Sequence, residues 1–356
     1  MRTPLAFAVL GTGFLAAACA PRAERVGSPT GSPKAATRAA YSVSQLAATV
    51  GLTELALSPD GRTLAFVSDE SGAHEVWLAT LEGASLSRPA QATRLNERVS
   101  GLVWSPDSST LLFASDHGGD EREDLWLLRR DTAEPVRLTD TKSSEQDVHF
   151  SPDGASIAYA VDREREFRFD LEVMELATRK TRTLTKGRNN VNDIHWSRDG
   201  KTIACLVSPD DQKGQMLLVD VATGAAREIA PPRKEGLLAP AGFLADGRIV
   251  ATATNAKGFR QLALVDPASR SVTFAGAETW DVEIARVEAS GAILYARNVH
   301  GESEVALAAG PVPFAPSSLA PRVLSSAGTI TDLSVDAAGT RIVAIRETPS
   351  RPAEIV

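Results

Sequence analysis

The sequence predicts an all-β fold, a seven-bladed β-propeller of four-stranded antiparallel blades with the last blade incomplete. Three observations predict it: a recurring turn motif at a fixed period, four short apolar segments per period, and no helical pattern between them. The motif is Leu57-Ser58-Pro59-Asp60-Gly61. It returns as Trp104-Ser105-Pro106-Asp107-Ser108, Phe150-Ser151-Pro152-Asp153-Gly154, Trp196-Ser197-Arg198-Asp199-Gly200 and Phe243-Leu244-Ala245-Asp246-Gly247. Successive Asp positions lie 47, 46, 46 and 47 residues apart, and weaker copies at Ser290-Gly291 and Ala338-Gly339 follow with steps of 44 and 48. A chain of 356 residues exceeds what one hydrophobic core usually serves, and a repeat removes that difficulty because each unit packs only on its neighbours.

Each unit justifies its strands in the same order. In the first, Leu52 to Ser58 leads into the turn, Thr63 to Ser68 returns, and Glu75 to Thr80 and Ala92 to Leu95 supply the third and fourth strands. Pro presets φ at the first corner, Asp bonds the backbone that follows it, and Gly accepts φ > 0, so the motif is a hairpin turn. Second strands such as Thr63-Leu64-Ala65-Phe66-Val67, Ser156-Ile157-Ala158-Tyr159-Ala160 and Thr202-Ile203-Ala204-Cys205-Leu206 are almost continuously apolar, as in sheets packed on both faces. Third strands such as Glu75-Val76-Trp77-Leu78, Asp124-Leu125-Trp126-Leu127 and Gln215-Met216-Leu217-Leu218 behave alike. The propeller is expected over residues 41–356. Tyr41 to Val50 reads as a short helix, because Ser42-Val43-Ser44-Gln45 has capping-box spacing. The final unit supplies Thr329 to Asp336, Arg341 to Thr348 and a third strand beginning at Ala353, so blade seven is unfinished. An unfinished sheet edge is a liability, which leads us to expect the front part of a longer product.

Composition narrows the function. Apolar residues make up 43% and charged residues 23%, values of a folded globular protein. Lys and Arg total 38 against 45 Asp and Glu, a net charge of -7 that offers no general attraction to nucleic acid or anionic lipid. Two cysteines, Cys19 and Cys205, cannot build a disulfide framework or a structural zinc site of Cys pairs. At the N-terminus, Met1-Arg2 precedes an uncharged stretch from Leu5 to Ala18, 14 residues, too short to span a bilayer and suited to a secretory signal. Ala16-Ala17-Ala18 before Cys19 resembles a bacterial lipoprotein processing site, which implies acylation of Cys19; Ala16 stands where that pattern places a large apolar residue. Cleavage after Ala20 is the alternative, and it would leave Pro21 first, which such peptidases tolerate poorly. Residues 1–19 are thus the signal with its lipidation cysteine. Residues 20–40, rich in Ala, Pro, Ser, Gly and Arg, form a flexible tether, and the destination is the bacterial periplasm or envelope.

The Ser-Pro-Asp-Gly hairpins, Gly118-Gly119-Asp120-Glu121 before Asp124-Leu125-Trp126-Leu127-Leu128, and the strand endings Val136-Arg137-Leu138-Thr139 and Thr183-Leu184-Thr185 resemble the propeller domain of prolyl oligopeptidase family serine peptidases. The resemblance covers about residues 41 to 356 and includes Thr348-Pro349-Ser350-Arg351-Pro352-Ala353-Glu354-Ile355, similar to the end of that domain. It implies a propeller that filters peptides for a downstream α/β-hydrolase domain holding the Ser, Asp and His of the triad. The same hairpin unit occurs in TolB-like periplasmic propellers, which implies the other reading, a stand-alone lipid-anchored module that meets an envelope protein partner.

No catalytic, cofactor or metal residue is assigned. Gly-x-Ser-x-Gly is absent, and His117-Gly118-Gly119, superficially an oxyanion-hole loop, falls between blade strands. Arg163-Glu164-Arg165-Glu166 reads as a solvated mixed-charge stretch. His149 and His195 occupy equivalent places on the innermost strands of adjacent blades, where duplication explains them better than a metal that lacks a third ligand. Asp116, Asp120, Glu121, Glu123 and Asp124 crowd one loop without EF-hand spacing and read as a solvated blade tip. Cys205 reads as a small buried residue, and Trp77, Trp104, Trp126 and Trp196 as packing groups.

Overall fold

The strands follow the turn period. A computed structural model of the protein describes residues 49–356 apart from 133, 164–167, 188–189, 211–212, 276–279, 289, 309–321 and 326–327. The signal segment, Cys19, the tether and residues 41–48 of the expected helix lie outside the described residues; Thr49 and Val50 are not helical. Blade 1 comprises β1 (Leu52–Leu57), β2 (Thr63–Ser68) and β3 (Glu75–Glu82), with two short pieces, β4 (Ser85–Leu86) and β5 (Ala90–Gln91), pairing with β3. Blade 2 is β6 (Val99–Trp104), β7 (Thr110–Ser115), β8 (Asp124–Arg129) and β9 (Pro135–Arg137). Blade 3 is β10 (Glu145–Phe150), β11 (Ser156–Val161), β12 (Asp170–Glu175) and β13 (Lys180–Thr183). Blade 4 is β14 (Val191–Trp196), β15 (Thr202–Asp210), β16 (Lys213–Asp220) and β17 (Ala226–Ile229). Blade 5 is β18 (Leu238–Phe243), β19 (Ile249–Thr254), β20 (Arg260–Asp266) and β21 (Ser271–Phe274). Blade 6 is β22 (Val282–Val287), β23 (Ile293–Val299), β24 (Glu302–Ala308) and β25 (Arg322–Ser325). Blade 7 is β26 (Thr329–Val335), β27 (Ile342–Thr348) and β28 (Arg351–Ile355), three strands as the sequence predicts. One expectation shifts: the fourth strand placed at Ala92 to Leu95 is replaced by Ala90–Gln91, because the Thr93 hydroxyl is used instead to receive the Val76 N–H at 2.8 Å and bond the buried Glu75 carboxylate at 2.5 Å.

The hairpin turns carry the chemistry that the motif announces. The hydroxyls of Ser58, Ser105, Ser151 and Ser197 donate to the Asp two residues on at 2.6, 2.6, 2.6 and 2.7 Å. Each hydroxyl also receives the backbone N–H five residues on, at 2.9 to 3.0 Å. Gly61, Gly154 and Gly200 take φ of 67, 70 and 69° at the last corner. Ser108 takes φ 62° there without being glycine, and its hydroxyl accepts the Asp60 N–H of the preceding blade at 3.0 Å.

Seven apolar seams, one between each pair of neighbouring blades, replace a central core. Leu111, Phe113 and Trp104 of blade 2 pack on Ala65, Val67 and Val76 of blade 1, and Ile203, Cys205 and Leu217 of blade 4 pack on Ala158, Ala160 and Leu171 of blade 3. The ring closes without a shared strand. Val343 and Ile345 of blade 7 pack on Leu55, Leu57, Leu64 and Phe66 of blade 1. Across the same seam Leu55 N–H donates to Asp332 at 2.8 Å, Leu57 N–H to the Ser334 hydroxyl at 2.9 Å, and Ala337 N–H to the Pro59 carbonyl at 3.0 Å. Cys205 is fully buried in its seam.

Candidate functional site

The innermost strands β1, β6, β10, β14, β18, β22 and β26 surround the ring axis, and every one of them pairs with its second strand through a register shift near its start. At or directly beside the shift lies the residue six places before the turn Asp or its equivalent. That position holds Glu54, Gly101, Asp147, Asp193, Pro240, Ile284 and Asp332 around the ring. Gly101 takes φ 68°, and Asp147 and Asp193 take φ 52 and 50°, a left-handed conformation that Asp accepts better than most residues.

The carboxylates reach forward to the next blade. Glu54 accepts the N–H groups of Gly101 and Leu102 at 2.6 and 3.3 Å, Asp147 accepts that of Ile194 at 3.1 Å, and Asp332 accepts that of Leu55. Arg286 of blade 6 also pairs with Asp332 at 3.3 Å, so this one carboxylate joins blades 6, 7 and 1. Burial pushes the Glu54 carboxyl up, against the two backbone bonds that favour its charge.

His149 and His195 come together as their equivalent positions require, with ring centroids 5.8 Å apart. His149 Nε2 donates to Asp147 Oδ1 at 3.0 Å, and the His149 carbonyl accepts the Trp196 indole N–H at 3.2 Å. Burial and the neighbouring His149 push the His195 imidazole down to about 3, which keeps it neutral. Burial also opposes ionisation of Asp147, but the His149 bond and the Ile194 amide outweigh it and hold this carboxyl below 3.8. Asp193 is reached by water, yet the protein crowding it and the Asp147 charge push it up to about 6. Among the described residues no group of three His, Cys, Asp or Glu side chains is placed to hold a metal ion.

A cavity of about 950 Å³ opens beside Glu54, Gly101 and Asp147, walled on its outer side by Asp116, Asp120, Glu121 and Glu123 of the β7–β8 loop with Arg98 and Arg122. The expected solvated tip therefore divides. Four of its acids wall the cavity. Asp124 instead is buried at the start of β8 and ion-paired with Arg137, whose Nε lies 3.2 Å from it. His117-Gly118-Gly119 lies in the same loop between strands. The mixed-charge stretch is likewise corrected at its first residue: Arg163 turns inward to Glu172 at 2.8 Å and towards Glu145 at 3.6 Å, because two buried carboxylates need a cation; residues 164–167 lie outside the described residues. Glu145 itself also accepts the Thr141 hydroxyl at 2.7 Å, and burial pushes its carboxyl up to about 7. A second cavity, about 630 Å³, lies between the turns of blades 3 and 4, where Asp153 and Asp199 are already bonded within their own hairpins.

Sequence reading singled out His149 and His195 but passed over Glu54, Asp193, Asp332 and Glu145. Counting back six residues from each turn would have found the first three; Glu145 has no such period, and its burial and its approach to Arg163 appear only in the fold.

These features define a seven-bladed propeller with an open ring closure and an acid-lined inner wall. No family model and no curated protein matches the sequence. Solved structures of the same fold do. A Mycobacterium tuberculosis puromycin-hydrolyzing peptidase superposes with a TM-score of 0.68 at 14% identity over 87% of this chain and 51% of its own. The β-propeller domain of the Trilobed protease from Pyrococcus furiosus, described as having an open velcro topology, gives 0.62 at 13% identity over 86% of this chain and 94% of that domain. TolB from Acinetobacter baumannii gives 0.51 at 17% identity over 72% of this chain and 60% of its own. The chain thus spans about half the length of the puromycin-hydrolyzing peptidase and 60% of that TolB.

Proposed function

We propose that this chain is the exported N-terminal β-propeller portion of a prolyl oligopeptidase-like serine peptidase, gating peptide access to an α/β-hydrolase domain encoded beyond residue 356. One observation carries the reading: the likeness to the puromycin-hydrolyzing peptidase extends over 87% of this chain with a TM-score of 0.68, against 72% and 0.51 for TolB from A. baumannii. The acid-walled cavity beside the ring axis supports a route for peptides, and the propeller itself supplies no nucleophile elbow. Lipid attachment at Cys19 holds the protein at the bacterial envelope. The TolB likeness supports the other reading, a stand-alone envelope module binding a protein partner; TolB from Agrobacterium tumefaciens is matched over 85% of its length.

The codons that follow Val356 test the choice. An open frame encoding Gly-x-Ser-x-Gly and a later His supports the peptidase, and a stop followed by unrelated sequence sinks it. On the protein, residues 20–356 should take up no fluorophosphonate probe, while the same polypeptide with its hydrolase domain is labelled on that domain. A stoichiometric adduct on a serine of residues 20–356 would put catalysis in the propeller and reject this division of labour. Labelled palmitate should enter the wild-type chain and not Cys19→Ser; equal labelling of both rejects the anchor.

A further inference from the structure

Three residues that wall the larger cavity are each followed in the chain by a charged residue that turns away from it. Glu123, Ser144 and Asp162 line the cavity, and Asp124, Glu145 and Arg163 come next. The backbone ties the three wall residues together. Glu145 N–H donates to the Glu123 carbonyl at 2.7 Å, and Ser144 N–H donates to Asp162 Oδ1 at 2.7 Å. Glu123 N–H donates to the Ser144 hydroxyl at 3.3 Å, and Asp162 N–H donates back to the Ser144 carbonyl at 3.3 Å. A displacement of Glu145 or Arg163 therefore reaches the wall within one residue.

Behind the wall the charges do not balance. Glu145 and Glu172 are both buried, and both approach the same guanidinium. Arg163 holds Glu172 through Nε and Nη2, each at 2.8 Å, and the Tyr159 hydroxyl donates to the same carboxylate at 3.0 Å. Its Nη2 stands 3.6 Å from Glu145 Oε1, too far for a hydrogen bond. Glu145 instead accepts the Thr141 hydroxyl at 2.7 Å and the Thr139 hydroxyl at 3.3 Å. The other charged groups facing it, from blade 2, are Asp124 of β8 and the Arg137 of β9 with which Asp124 is paired. One guanidinium thus serves two buried carboxylates, and it is committed to Glu172, an arrangement suited to a protonated Glu145.

We propose that Glu145, Arg163 and Glu172 form a proton-controlled switch for the wall of this cavity. With Glu145 protonated, Arg163 belongs to Glu172 and the Ser144–Asp162 bonds hold the wall. Once Glu145 ionises it competes for the guanidinium, Arg163 is drawn between the two carboxylates, and Asp162, its chain neighbour, moves with it. Burial pushes the Glu145 carboxyl up to about 7 against the Thr141 bond and the Arg163 charge, so the protonated arrangement prevails below that pH and the shared one above it. The switch does not rest on the peptidase reading and survives its failure.

Nuclear magnetic resonance of the full chain tests it, with the Glu145 carboxyl carbon and the amides of Glu123, Ser144 and Asp162 followed from about pH 5 to 8.5. The three amides should shift with the Glu145 midpoint and stand still in Glu145→Gln, while Ala251 in blade 5 is unmoved in both proteins. Glu172→Gln leaves the guanidinium to Glu145 and should lower the Glu145 midpoint by about one unit or more. Wall amides that stay fixed while Glu145 titrates, or that still titrate in Glu145→Gln, would overturn the proposal. So would a Glu145 midpoint unchanged in Glu172→Gln, which would show that Arg163 is not shared. Should Glu172→Gln fail to fold, the comparison of wild type with Glu145→Gln decides, because the amide replaces a neutral carboxyl of the same shape and keeps an acceptor for Thr141.

Discussion

The indole N–H of Trp104 donates to the carbonyl of Ala56 at 3.0 Å, and Trp196, two blades further round, does the same to His149 at 3.2 Å. Both Trp residues end an innermost strand, and both carbonyls belong to the strand of the preceding blade. The recurrence of Trp at this place is therefore a blade-to-blade tether as well as packing. Trp77 and Trp126, at another repeated position, are different: their indole nitrogens are buried with no partner, and Trp126 is placed by stacking on Phe113 with ring centroids 6.3 Å apart.

The contrast gives a prediction. Trp104→Phe leaves the Ala56 carbonyl without its donor and should cost about 1–2 kcal/mol, read as a lower denaturation midpoint. Trp77→Phe removes a buried donor that bonds nothing, so it should be neutral within about 0.5 kcal/mol or stabilising. Equal losses in the two variants would show that both Trp residues act by volume alone.

The Asp124–Arg137 pair is the second test. Arg137→Ala strands a carboxylate at the buried start of β8 and should destabilise by about 3 kcal/mol. Adding Asp124→Asn should recover more than half of that loss, since the remaining amide carries no charge to be compensated. A double variant as unstable as Arg137→Ala would assign the cost to lost packing.

Glu145 sets a pH dependence. Its carboxyl is raised from 4.5 to about 7, so the folded chain holds a proton that the unfolded chain has released across that window. Stability contributed at this position therefore falls as pH rises from 4.5 to 7 and stays low above it. Glu145→Gln should match wild type near pH 4.5 and exceed it above pH 7 by up to about 2–3 kcal/mol in chemical denaturation.

Asp332 tests the ring closure. Asp332→Ala removes the acceptor that ties Leu55 of blade 1 to blade 7 and the partner of Arg286. Amide exchange should quicken at least tenfold in β1 and β26 and stay unchanged in β14 and β15, because the seams are separate packing units. Uniform acceleration round the ring would mean that the propeller opens as a whole.

The blade count, the hairpins and the limits of most inner strands were legible in the sequence because they rest on local chemistry, whereas the fourth strand of blade 1 shifted to Ala90–Gln91. Ser58, Pro59, Asp60 and Gly61 make a turn by bonds that span at most five residues, and five clear copies set the period. Arg163 and Asp124 were misjudged for the opposite reason. Charged residues near loops are usually solvated, and only the arrival of Glu172 beside Arg163 and of Arg137 beside Asp124 makes them interior groups.

By itself, then, the sequence determined a ring of β-blades with an acidic net charge, since turn residues and apolar alternation act within a few positions along the chain. Tertiary structure decided how the ring is tied and where protons sit on its inner wall. Leu55 meets Asp332 across 277 residues of chain, and the Trp196 indole meets the His149 carbonyl across 47. Such pairings arise when inner strands from separate repeats converge on one axis, where burial and the neighbouring charge set the energy of each ionisable group.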